Sequence, residues 1–286
     1  MSQSVRITVL VEDTAGSRGL LGEHGLAFWI EAGSKRALFD TGQGMALEHN
    51  ARHLKVALDS ADAIVLSHGH YDHTGGLGQA LKAAPQAKVF AHPAAFQTKR
   101  ERNDNGTARD VGMPQLDEDE ARKKAGDLAW TNQPMEIYAG LFVTGEIPRT
   151  TEFEDTGGPF FLDEQCREPD SLIDDQAMFF ESAAGTVVLL GCAHAGVINT
   201  LQYIRQLTDN RPIYAAMGGM HLVNASQERI DRTTEALRQL NIVCLAPGHC
   251  TGTVATAKLW AVLPGKCLPC HAGAIIGFEA PQSGRY

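Results

Sequence analysis

The chemistry of this chain is concentrated in His68-Gly69-His70-Tyr71-Asp72-His73, where three histidines and an aspartate fall within six positions. Neutral imidazoles and a carboxylate are the donors that zinc, iron and manganese take. In an extended segment, side chains two apart point the same way. His68 and His70 can therefore share one ion, while Asp72 and His73 face a second. Water held by such ions loses a proton near neutral pH, which supplies hydroxide without a strong protein base. Asp72 is placed to orient that hydroxide. Two ions can also polarise a phosphoryl or carbonyl oxygen and stabilise a leaving oxygen.

Other residues offer supporting chemistry. Arg149 follows a glycine-containing turn and precedes Thr150-Thr151, a corner suited to an anionic substrate because the guanidinium fork binds phosphate or carboxylate bidentately. Asp174 and Asp175 read as braces for the strand that follows. Asp40, at the end of an apolar strand, reads either as a turn-forming residue or as a hydrogen-bond partner that holds a ligand histidine. Cys267-Leu268-Pro269-Cys270-His271 matches the haem-attachment pattern CxxCH. Haem attachment requires export, so a thiol pair with weak redox or metal affinity is the preferred reading. Cys250 lies beside His249 and can approach the same chemistry.

These residues need a scaffold, and the hydrophobic pattern supplies one. Residues 5–12, 26–31, 36–40, 63–66, 88–91, 178–181, 186–190, 213–216, 242–245 and 274–278 read as strands. Residues 45–58, 74–84, 197–207, 227–240 and 254–263 have helical spacing. The order, strands then helices and then both again, predicts two sheets packed between helical layers in a single domain spanning 1–286. Residues 99–127 break the pattern. Seven basic and eight acidic residues with little apolar periodicity predict a solvated insertion, which could serve as a lid over the site.

Composition narrows the functional classes. A hydrophobic content of 43% is enough for a real core. The net charge of −9 argues against a nucleic-acid partner held by phosphate neutralisation. No apolar run reaches membrane-spanning length, and no secretory leader is visible, so the six scattered cysteines are read as reduced thiols of a cytoplasmic protein. The oligomeric state is left open.

The HxHxDH motif after an apolar strand resembles the signature of the metallo-β-lactamase fold superfamily. The resemblance runs through the chain: Leu38-Phe39-Asp40-Thr41-Gly42 is similar to the family's early strand, and Gly191 to Gly196 (GCAHAG) and Ala246 to Gly252 (APGHCTG) are similar to the blocks that give its later ligands. Thr144 to Arg149, Asp174-Asp175-Gln176, Gly191 to Thr200 and Gly218 to Leu222 further resemble its dihydropteroate-synthase-like branch. Members of that branch are named 7,8-dihydropterin-6-ylmethyl-4-(β-D-ribofuranosyl)aminobenzene 5′-phosphate synthases.

The resemblance implies a four-layer αββα sandwich holding two divalent metal ions, zinc in the first place, with iron or manganese as alternatives. It assigns His68, His70 and His194 to one ion and Asp72, His73 and His249 to the other, bridged by water or hydroxide. Many relatives carry a bridging aspartate after the strand that follows the His194 block. Here that strand leads into Met217-Gly218-Gly219-Met220-His221, with no carboxylate. His221 is therefore expected to be a further ligand, to act in catalysis or to contact substrate. The function implied is that of a metal-dependent hydrolase, or related transferase, using a metal-bound hydroxide on a small anionic substrate, one that could contain a pterin or ribose phosphate. Two other readings stay open: a di-iron redox protein reacting with oxygen or nitric oxide, and a non-catalytic metal-binding sensor.

Overall fold

The computed structural model describes residues 4–114, 121, 123, 128–138 and 140–281. The strands of the first half are β1 (Val5–Val11), β2 (Ala27–Ala32), β3 (Lys35–Phe39), β4 (Ala63–Val65), β5 (Lys88–Ala91), β6 (Arg100–Arg102), β7 (Ala108–Asp110), β8 (Leu128–Trp130), β9 (Met135–Tyr138) and β10 (Leu141–Val143). Those of the second half are β11 (Phe160–Phe161), β12 (Ala177–Ser182), β13 (Gly185–Leu190), β14 (Ile213–Gly219), β15 (Cys244–Gly248) and β16 (Ile275–Phe278). A seven-stranded sheet has the order β16-β1-β2-β3-β4-β5-β8, and a six-stranded sheet the order β15-β14-β13-β12-β10-β9. Helices α1 (Leu47–His53), α2 (Tyr71–Thr74) and α3 (Leu77–Ala83) come from the first half. Helices α4 (Val197–Leu207), α5 (Gln227–Gln239) and α6 (Thr253–Val262) come from the second.

Strand alternation sorts side chains into three apolar layers. Ala63 and Val65 of β4 join Phe28, Phe39, Val187, Leu189 and Met217 between the two sheets. Their neighbours Ile64 and Leu66 turn outward onto Leu47, Leu77 and Leu81 of α1 and α3. Likewise Val188 and Leu190 of β13 pack outward on Ile198, Leu201 and Ile204 of α4. A sheet covered on both faces has no polar side, which is why these strands read as unbroken apolar runs. Truncating one such buried aliphatic side chain to alanine typically costs about 2–5 kcal/mol.

The result is the αββα sandwich expected. The helix expected over 45–58 is confined to α1, followed by a 3-10 turn at Leu58–Ser60. Of the helix expected over 74–84, α3 covers Leu77–Ala83; α2 lies ahead of it on Tyr71–Thr74, so Asp72 and His73 stand on a helical turn and not on the extended segment expected, and Gly75-Gly76 separates the two helices. A Cβ on Gly76 would lie 2.3 Å from the Thr41 carbonyl oxygen, so that break seats the metal loop against the end of β3.

The charged stretch 99–127 begins with ordered structure. β6 and β7 form a hairpin that pairs with β11 in a small third sheet. Its strands were missed because charged pairs such as Glu101–Arg109 replace apolar alternation. Most of 115–127 lies outside the described residues. Among the described residues, no helix is long and apolar enough to cross a membrane.

Candidate metal centre

The ligand-bearing loops leave the C-terminal ends of parallel strands, where ligands of open α/β sheets usually bind. His68 to His73 follow β4, Cys192 and His194 follow β13, His221 follows β14 and His249 follows β15. Asp40 closes β3 in a left-handed conformation, φ 60°. Its Oδ1 accepts from the Ser67 backbone N–H at 2.7 Å, and its Oδ2 receives Ser67 Oγ and His73 Nδ1, each at 2.7 Å. Asp40 thus holds His73, a candidate ligand, by hydrogen bond.

The loop is pinned from the other side as well. The Gly69 N–H donates to Asp174 Oδ2 at 2.8 Å, and a Cβ on Gly69 would lie 2.2 Å from the Ala95 carbonyl oxygen. Asp174 Oδ1 and Asp170 Oδ2 accept from the fully buried Lys99 Nζ at 2.9 and 3.0 Å. Asp175 Oδ2 accepts from the Ala195 N–H at 2.8 Å. The two aspartates therefore brace the metal loops. Burial pushes the Asp175 carboxyl up to about 7.

The imidazoles converge. His68 Nε2 lies 3.1 Å from His70 Nδ1, and His73 Nε2 lies 3.2 Å from His249 Nε2. Hydrogen bonds fix which nitrogens are bare. His194 Nδ1 donates to the Thr156 carbonyl oxygen at 2.8 Å, and His73 Nδ1 and His249 Nδ1 each face a carboxylate at 2.7 Å, from Asp40 and Asp13. Each of these rings then turns its Nε2 inward. The Nε2 atoms of His70 and His194 are buried with no hydrogen-bond partner among the described residues. Buried polar atoms are seldom left so unless a ligand or ion completes them. Burial drives His68 and His194 well below the ordinary histidine value and His70 to about 3, so all three stay neutral and can donate to a metal.

The second cluster is acidic. Asp72 Oδ2 lies 3.3 Å from both His249 Nε2 and His24 Nε2. Asp13 receives His24 Nδ1 at 3.1 Å as well as His249. Hydrogen bonds to Asp13 and Asp72 raise His24 to about 9 despite partial burial. Glu12 Oε1 accepts from the His249 N–H at 2.7 Å. The donor set fits two divalent ions: three neutral imidazoles on one side, and two imidazoles with a carboxylate on the other.

All six residues assigned to metal are brought together. His221 joins them: its ring centroid is 4.2 Å from that of His194, its φ is 44°, and Gly157 packs so closely that a Cβ there would lie 1.9 Å from His221 Cδ2. Its Nδ1 is also buried without a partner among the described residues.

Arg149 is not where a substrate anchor belongs. Its guanidinium donates to the carbonyl oxygens of His194 at 2.7 Å and Ser171 at 2.5 Å. Those bonds tie down the His194 loop, so the fork is committed to the backbone. An arginine that does line the cleft is Arg109, paired with Glu101 across the β6–β7 hairpin.

Sequence reasoning also missed Cys192, His24 and Asp13. Cys192 Sγ lies 3.1 Å from His73 Nε2 and within 4.8 Å of ligand atoms in both clusters. Its signal was present, since Cys192 and His194 have the same two-residue spacing as His68 and His70. His24 and Asp13 carry no local signal. The six cysteines are free thiols. The whole constellation opens into a cleft of about 590 Å³ walled in part by Tyr71, Arg109, Phe160, Asn224 and Thr256.

Likeness to known proteins extends along most of the chain. The family model for the metallo-beta-lactamase superfamily matches residues 21–249. A Methanocaldococcus jannaschii protein named 7,8-dihydropterin-6-methyl-4-(beta-D-ribofuranosyl)-aminobenzene-5'-phosphate synthase is 32% identical over 290 residues, covering 96% of this chain and 97% of its own. A second, uncharacterized protein of that organism is 33% identical over 276 residues, covering 95% and 99%. Among solved structures, one described as a metal-dependent hydrolase of the beta-lactamase superfamily superposes with a TM-score of 0.80 at 29% identity, covering 95% of this chain and 98% of that one.

Proposed function

The chain belongs to the metallo-beta-lactamase superfamily, and we propose that it is a metal-dependent hydrolase or related transferase acting on a small anionic substrate. The observation that carries this reading is the pair of bare, buried Nε2 atoms on His70 and His194, facing a cleft large enough for a small molecule. His68, His70 and His194 would hold one divalent ion and Asp72, His73 and His249 a second, and ions there would supply Lewis acidity and an activated water. Thiols at the site favour zinc over manganese or magnesium.

The chain's own residues supply the rest. Asp72 sits at the junction of the second cluster, 3.3 Å from His249 Nε2, where it orients the attacking group. His221, beside His194 on the cleft wall, contacts the substrate or the reacting oxygen. Arg109 offers a cation to an anionic substrate, and the β6–β7 hairpin that carries it forms one side of the entrance. The name of the M. jannaschii relative directs attention to pterin- or ribose-phosphate-containing compounds.

The test is metal analysis of protein purified without chelator, followed by assays with phosphodiester, phosphomonoester and lactone substrates. We expect two equivalents of divalent metal and turnover of at least one class, abolished by chelator. Fully metallated protein with no turnover of any of them would favour a sensor. A visible iron spectrum that responds to oxygen or nitric oxide would favour redox chemistry.

A further inference from the structure

The end of β14 and the connection after it hold Gly218-Gly219-Met220-His221, with no carboxylate among them. The geometry shows why none fits. A Cβ added to Gly219 would lie 2.4 Å from the Gly191 carbonyl oxygen, 2.6 Å from Cys250 Sγ and 3.3 Å from Cys192 Cα. The space is already taken by the backbone of the β13 loop and by the Cys250 sulfur, which follows β15.

Cys192 is 2% exposed, at the turn leaving β13. Its Sγ belongs to three donor groups, His68–Cys192–His194, His73–Cys192–His249 and Cys192–His221–Cys250, each with its donor atoms within 4.8 Å of one another, and the first two fall one in each histidine cluster. Independently, the bare Nε2 of the fully buried His194 has no protein partner among the described residues, which marks the same spot as one that takes an ion. Cys250, the other thiol nearby, is differently engaged. Its Sγ accepts from the His221 N–H at 3.3 Å and lies 3.7 Å from the Cys192 carbonyl oxygen, so it ties the β14 and β15 loops together.

We propose that Cys192 is a metal ligand shared by the two ions. The inference rests on the metal-centre reading above and adds a ligand to it. Thiolate is a soft donor that suits zinc, and one sulfur joined to two cations offsets charge that the neutral imidazoles of the first cluster leave uncompensated.

Metal substitution in the intact protein tests this without relying on turnover. Loaded with cobalt(II), the wild type should bind two equivalents and show an intense near-ultraviolet sulfur-to-cobalt charge-transfer band. C192S should lose the band and bind the second ion at least about tenfold more weakly, a loss typical of removing a supporting group at a metal site. C250S should keep the band. Cadmium-113 resonance separates a bridge from a terminal ligand: a shared sulfur moves both signals toward the sulfur-ligated range, whereas a terminal sulfur moves one.

Two bound cobalt ions without the band would overturn the ligand role of Cys192 and leave the metal centre standing. So would a band that survives C192S. One shifted cadmium signal would overturn the bridge. Less than one equivalent of bound metal in the wild type would overturn the metal-centre reading itself. Should C192S misfold by circular dichroism, the wild-type cobalt and cadmium spectra with the C250S control decide the matter.

Discussion

The imidazoles differ in what each one's loss should do, because hydrogen bonds fix their roles individually. His68 and His194 are assigned to the same ion. H68A and H194A should therefore lose metal and activity together, by at least about 10²-fold in activity, as when a group acting only in the transition state is removed. Metal content and kcat measured on one preparation check this, and either variant retaining both would refute the assignment. His221 offers a sharper distinction. If it binds metal, H221A lowers metal content with activity; if it contacts substrate, metal stays bound and KM rises. Its strained φ of 44° beside Gly218, at φ 117°, shows that the backbone is bent to present this ring. Unchanged metal content, KM and kcat would reduce His221 to a structural residue.

Among elements, the loops are held more by buried polar braces than by apolar packing. Lys99 enters from the β6–β7 hairpin region and satisfies Asp170 and Asp174, and Asp174 in turn holds the Gly69 N–H between two ligand histidines. K99M keeps the volume and leaves two buried carboxylates unpaired. It should destabilise the fold by about 3–5 kcal/mol, the range for breaking one side of a buried ion pair. Chemical denaturation reads this, and a K99M/D174N double variant should recover part of the loss because the two changes share a partner. A shift below about 1 kcal/mol would show that water relieves the site. The β14 connection is constrained sterically. G219A pushes a methyl group into the Gly191 carbonyl oxygen and should lower the melting temperature even though alanine usually suits a strand better than glycine. A raised melting temperature would show that the loops give way easily.

For the molecule as a whole, the site joins the two halves of the sandwich. His68 to His73 hang from the first sheet, and Cys192, His194, His221 and His249 from the second. Ions bound across that seam stabilise the folded state alone, by RT ln(1 + [L]/Kd). Free zinc at 100 times its Kd should add about 2.7 kcal/mol, a rise of several degrees in the melting temperature that chelator reverses. No change on adding zinc after chelation would mean that the seam does not hold the ion. The net charge of −9 adds a general attraction for cations at low ionic strength.

Features carried by near neighbours in the chain were legible in the sequence. The alternation of Ala63, Ile64, Val65 and Leu66 set out a strand buried on both faces, and the packing sorts those residues between two layers. The spacing of His68, His70, Asp72 and His73 placed four donors on one turn of chain, because backbone geometry alone decides which close neighbours share a side. The charged hairpin at 100–110 was not legible, since its pairing depends on β11 some sixty residues away and on ion pairs with no periodic signal. Nor were the partners of the metal loop: His73 meets His249 across 176 positions, Cys192 across 119, and Asp13 meets His249 across 236. Arg149 shows the same division from the other side: its charge and turn suggested an anion site, and only the folded loops decided that two backbone carbonyls claim it. Local sequence settled which atoms could do chemistry. The stacking of two sheets, driven by apolar faces that any similar set of residues could have supplied, settled which of them meet.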